Sequence, residues 1–166
     1  MFQFSPQLCA YNVLSAYTQF EDHLGRMREV FSAWLEQAQP SAIAATGQRA
    51  VNRIVLPAAS YDPEGFFHVS PRLPPSPRHR QFALQVLFET FEDGEVVLNL
   101  AHRGEGGDEK SGATYYLDIY ARSTSAVPPL AQALTEWQVR AHSHVRNAFQ
   151  NAVTERCKLL FRGEAP

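Results

Sequence analysis

Between residues 81 and 121 apolar and polar side chains alternate along three runs, and no other feature constrains the fold as tightly. Successive side chains of a strand point to opposite faces, so a sustained period of two marks a strand with one buried face. Phe82, Leu84, Val86 and Phe88 form the first set, Val96, Leu98 and Leu100 the second. In the third run Tyr115, Leu117 and Ile119 share one face, and Tyr116, Asp118 and Tyr120 the other. The first two runs make a hairpin whose loop length sets its register. A two-residue Asp93-Gly94 turn pairs Phe91 with Val96 and mixes both faces. A three-residue Glu92-Asp93-Gly94 loop gathers the first two apolar sets on one face and leaves Gln85, Glu89, Glu95 and Asn99 on the other. A one-residue slip exchanges the faces, so the cleaner pattern is expected, with Gly94 as the left-handed residue of a type I turn with a G1 bulge.

Helical stripes flank these strands. Phe20, Leu24, Met27, Phe31 and Trp34 recur at steps of four and three, behind a Thr18–Glu21 capping box and ahead of Pro40. A second stripe opens at Pro128 or Pro129 and runs through Leu130, Leu134, Trp137, Ala141, Val145, Ala148, Ala152 and Leu159 or Leu160, with no interior Gly or Pro before Gly163. A helix of about 34 residues is roughly 50 Å long, whereas a ten-residue strand spans about 33 Å. Either the sheet curls around this helix or the helix projects beyond it. A projecting end would carry Val153, Leu159, Leu160 and Phe161, a candidate partner interface; alternatively these side chains fold back onto the N-terminal strand.

The remaining elements are less regular. A strand is expected near Phe2–Val13, another over 43–56 closed by Pro57, and a short one at Phe66–Val69. Within 43–56, Gln48, Ala50, Asn52, Ile54 and Leu56 share one face, and Ile43, Arg49, Val51, Arg53 and Val55 the other; Gly47 marks a bulge or a close approach. Residues 71–80 form a Pro/Arg-rich connector, stiff and solvated or a docking loop for an acidic partner, and 103–112 a Gly-rich hairpin loop. The expectation is a single α+β domain over 1–166, an antiparallel sheet with two helices on one face, the C-terminal one long.

Composition excludes several functions. The 166 residues carry a formal charge of -2 and a charged fraction of 19%, which argues against broad electrostatic binding of nucleic acid. No run approaches the ~18 apolar residues of a membrane span, and Met1–Pro6 has no basic region ahead of an apolar stretch. Cys9 and Cys157 cannot build a disulfide framework, so the cytoplasm is the expected compartment. His142 and His144 would point about 200° apart on a helix and cannot share a metal ion. The stretch Gly104 to Ser111 misses the phosphate-loop pattern at Glu109 and precedes a strand rather than a helix. No G-x-S-x-G occurs. Arg156 and Lys158 flank Cys157 and could lower its thiol pKa, although adjacent helical positions face apart. What remains is a polar set of Arg49, Asn52, Arg53, Asp118 and His142. Asp118 pairs with Arg49 or with His142 to hold helix to sheet, or the set forms a polar pocket at that boundary.

The same residues carry a family resemblance. Thr46-Gly47-Gln48-Arg49-Ala50-Val51-Asn52-Arg53-Ile54, followed by Leu56-Pro57, resembles the R-x-G-x-R-Y-x-N-x-I-x-x-P signature of a sporadically distributed family of uncharacterised prokaryotic proteins. Leu117-Asp118-Ile119 is similar to its L-D-I-D strand, and Tyr17 and Phe20 to its Y-x-x-F helix start. His142, Val145, Phe149, Val153, Thr154 and Phe161 resemble its terminal H-x-x-I-x-x-x-F-x-x-x-I-T…F helix. Gln48, Ala50 and Tyr120 depart from the pattern, the last removing the second acid of the strand motif. The resemblance implies a fold and no particular activity. It also implies that a strand–helix segment found at the N-terminus of family members is lacking here, which would leave a sheet edge unpaired and open to a partner.

The expected function is that of a non-enzymatic protein-binding component of a multi-protein or operon-encoded prokaryotic system, such as a defence or toxin–antitoxin module, with no cofactor and no metal. Its partner would be another protein or a second copy, not a membrane. One alternative is an apolar ligand held in helix-grip fashion and lined by Phe82, Phe88, Tyr115 and Trp137; another is an enzyme using Asp118 and His142.

Overall fold

The computed structural model describes residues 1–13, 19–56, 63–71, 81–103 and 113–164. The chain order is β1 (Phe2–Ser5), β2 (Leu8–Tyr11), α1 (Glu21–Ala38), β3 (Gly47–Leu56), β4 (Gln81–Phe91), β5 (Gly94–Arg103), β6 (Ala113–Ser123), α2 (Ala131–Ala152) and α3 (Glu155–Phe161). The fold is α+β. Strands β3-β6-β5-β4, in that order, make a four-stranded antiparallel sheet, and β1-β2 a separate two-stranded one.

The alternation places the core. Val96, Leu98, Leu100, Tyr115, Leu117 and Ile119 are all buried, as are Ile54 and Leu56 of β3. Against them α2 lays Leu134, Trp137, Ala141, Val145, Ala148 and Ala152, spaced so that one stripe faces the sheet. Helix α1 packs on α2 and β2, and its Met27 and Phe31 join the same core cluster. Each large side chain fully buried here contributes about 1.5–3 kcal/mol of transfer free energy.

The hairpin keeps the expected apolar face but reaches it by another register. Phe91 pairs with Gly94 across a two-residue Glu92-Asp93 turn, and an irregularity at Phe88 shifts the ladder by one, so that Val86 faces Leu98 and Leu84 faces Leu100. Gly94 does not take the left-handed conformation; among described residues only Gln39 and Gly163 have positive φ. A side chain at Gly94 would collide with the Phe91 ring and with the backbone carbonyl of Arg122. The glycine is therefore required for space, and the bulge absorbs the offset that a longer loop was expected to supply.

The N-terminal segment is a hairpin rather than one strand. Pro6 lacks the donor a continuous strand needs, and Gln7 N–H donates to Ser5 Oγ at 3.2 Å in the turn. This hairpin docks on α1, where Trp34 Nε1 donates to Ser5 O at 2.9 Å. Helix α1 starts at Glu21 with no side-chain cap at Phe20. Thr18 of the expected capping box lies outside the described residues, as do 72–80 of the connector and 104–112 of the Gly-rich loop. Strand β3 begins only at Gly47; Ile43 makes a lone bridge with Val127. The short strand expected at Phe66–Val69 is instead a 3-10 turn at Pro63–Gly65 followed by a lone bridge from Phe67 to Val153.

That bridge marks the main correction. The C-terminal helix does not run unbroken; it stops at Ala152 and α3 starts at Glu155. Val153 is extended and Thr154 caps α3, its hydroxyl accepting from Cys157 N–H at 3.3 Å. His68 N–H donates to Ala152 O at 2.8 Å, and Thr154 N–H donates to Phe66 O at 3.0 Å. The groups freed at the break are thus taken up by the 63–68 segment. Helix α2 has 22 residues, about 33 Å, and β6 has 11, about 36 Å, so helix and sheet match in length. The projecting end, one of the two outcomes left open by the sequence, does not form. Val153 is fully buried (0% exposed), while Leu159 and Leu160 are half-buried. Only Phe161, 52% exposed, keeps the surface position expected of that group.

Candidate functional site

The sheet divides the polar set in two. Arg49 and Asp118 lie on the side away from α2, joined by two hydrogen bonds: Nε to Oδ1 at 2.8 Å and Nη2 to Oδ2 at 2.7 Å. Val51 sits directly opposite Asp118 in the register, so this ion pair runs diagonally between β3 and β6. The Asp118 carboxylate raises the Arg49 pKa, first by its hydrogen bonds and then by charge. Arg49 is largely exposed, so the pair contributes at most about 1 kcal/mol.

Asn52 and His142 lie on the helix side. Asn52 Nδ2 donates to Leu117 O at 3.3 Å. The His142 ring stacks on Phe20, centroids 4.0 Å apart and planes 3° from parallel, and its Nδ1 meets Gln48 Nε2 at 3.1 Å. Burial lowers its pKa, with Glu21 acting in the opposite sense and Arg146 in the same one. His142 is therefore neutral near pH 7. Since Asp118 alternates with Leu117 and Ile119 of the core face, its carboxylate and the His142 imidazole lie on opposite sides of the sheet. They do not form an acid–base pair or a shared pocket.

Burial pushes the Cys157 thiol up to about 11, so the flanking cations do not activate it. Among the described residues no group of three or more His, Cys, Asp or Glu could hold a metal ion. Trp137 and Tyr115 are buried, and the Tyr115 ring packs against Phe67 at 5.2 Å and Phe82 at 6.1 Å. One shallow depression lies on the outside of α2 at Thr135, Glu136, Val139 and Arg140, and another lies between α1 and α2 at Arg28, Gln132, Thr135 and Glu136.

What the structure adds is the far face of the main sheet, which no described element covers. Three lines of side chains cross it from β3 to β4. They read Arg49–Tyr120–Val97–Leu87, Val51–Asp118–Asn99–Gln85 and Arg53–Tyr116–Ala101–Ala83. Gln85 Nε2 donates to Asn99 Oδ1 at 2.8 Å. Arg122 pairs with Glu95 at one end. The Tyr120 ring lies over Gly47, where any side chain would collide with it; an aromatic ring thus covers the bare backbone of an edge strand. Val51, Val55 and Leu87 are 56%, 49% and 57% exposed. Both outer strands, β3 and β4, bond to one neighbour each among the described residues. The signal for this face was present in β6, where Tyr116, Asp118 and Tyr120 alternate with core residues on a central strand. Comparison with protein-family models, with curated proteins and with solved structures finds no match.

Proposed function

We propose that the chain is a non-enzymatic component of a multi-protein assembly in the cytoplasm, and that it works by docking another protein on the open face of the β3-β6-β5-β4 sheet. The observation that carries this reading is the set Val51, Val55 and Leu87, each about half exposed on a sheet face that no described element covers. A half-solvated antiparallel sheet normally turns polar side chains outward. Scattered exposed apolar residues need no explanation, but apolar and aromatic side chains gathered on one flat face favour a partner. No helix among the described residues is long and apolar enough to cross a membrane.

A photo-reactive phenylalanine analogue placed at position 87 in the native host tests this. It is expected to give a protein adduct that the same analogue at Val139, on the exposed side of α2, does not give. Equal labelling from both positions, or none from 87, would sink the reading.

A further inference from the structure

We infer that the occupant of the open face is an acidic segment of a partner protein, one helix wide, that sets a carboxylate on Arg53 and apolar side chains over Ala101 and Ala83. This rests on the reading above and deepens it. The face carries Arg49, Arg53 and Arg122 against Asp118 and Glu95. Both acids are already engaged, Asp118 by Arg49 and Glu95 by Arg122. Arg53 makes no ion pair among the described residues, although the chain as a whole is acidic at -2. The surplus positive charge is therefore local to this face. A guanidinium covered by a partner without an acceptor is strongly disfavoured, so whatever seals this face must bring one. A carboxylate matches its planar fork with two parallel hydrogen bonds.

Shape follows from the register. Arg53 faces Tyr116, Tyr116 faces Ala101, and Ala101 faces Ala83. The two alanines leave the lowest stretch of the face, and with the Tyr116 ring they make one apolar row that ends at the Arg53 cation, beside the polar row of Asp118, Asn99 and Gln85. Four strands at about 4.8 Å spacing span about 14 Å, close to the 10–12 Å diameter of one helix. A single helix would thus cover this side much as α2 covers the other. Nucleic acid fits less well. Neutralising phosphates takes several free cations, whereas Arg49 and Arg122 are already paired and leave Arg53 alone to do so among the described residues. A second copy facing the first would oppose two surfaces with the same positive surplus.

The test places the photo-reactive analogue at position 51 in the full chain, in the native host, and reads the cross-linked peptide by tandem mass spectrometry. A captured protein alone does not support the proposal. Support requires that the cross-linked segment be net acidic and that a synthetic peptide of that segment bind the purified chain. Its Kd should rise about tenfold or more with Arg53→Glu, and equally when the peptide's acids become amides. Arg53→Glu should leave the urea midpoint unchanged, since Arg53 is exposed. A protein segment without acids, or binding indifferent to Arg53→Glu, overturns this inference and leaves the docking face standing. So does an adduct with a copy of this chain. A nuclease-sensitive adduct, or no adduct at either 51 or 87, overturns both.

Discussion

Replacing Trp137 by Ala lowers the unfolding free energy by about 3–5 kcal/mol. Trp137 is 1% exposed, lies on the sheet-facing stripe of α2, and packs at 6.4 Å from the Phe91 ring. Removing it leaves a cavity bounded by sheet and helix, neither of which can collapse without breaking its own hydrogen-bonded ladder. The control is Trp137→Phe. The indole N–H is buried with no acceptor among the described residues, and an unsatisfied buried donor costs about 1–3 kcal/mol. Phe keeps most of the packing and removes that cost, so it should destabilise far less than Ala. Urea unfolding with an unchanged m-value reads both. Equal losses for the two variants would mean that the Trp137 ring does not fill the space assigned to it.

Val153→Asp is expected to cost about 3–5 kcal/mol, the range for an uncompensated buried charge. Val153 is fully buried at the junction where the 63–68 segment meets the end of α2. The same change at Phe161 should cost only about 1 kcal/mol, because that ring is half exposed and loses mainly its packing on Phe149 at 5.7 Å. The contrast separates the broken helix from an unbroken, projecting one. In the latter both residues would sit on an exposed end, and both substitutions would be tolerated. Thermal unfolding of the two variants decides the matter.

The parts legible in the sequence are those whose pattern is set by one buried face. Strand β6 and the α2 stripe follow directly from period two and period 3.6, because the core side of each is nearly uniform. The hairpin register was not legible. The bulge at Phe88 leaves no compositional mark, and Gly94 signals a turn conformation and a steric need alike. The break after Ala152 depends on Phe66 and His68, far away in the chain, which take up the freed backbone groups; Thr154 followed by Glu155 was the only local hint. The polar set was half legible. Parity along β3 already separates Arg49 and Arg53 from Gln48 and Asn52. It could not say which side α2 covers, so Asp118 and His142 were grouped although the sheet lies between them. The open face was hidden for the same reason: its apolar members come from different strands and meet only through the register.

The described residues leave this face of the sheet uncovered, and urea unfolding of the double variant Val51→Thr/Leu87→Thr tests whether it stays exposed in the full chain. Thr is β-branched and suits a strand at both positions, so two exposed substitutions should change stability by no more than about 1 kcal/mol in total. A loss of about 3 kcal/mol or more would show both side chains buried beneath another part of the chain, two hydroxyls then being forced into an apolar contact, and would contradict the account.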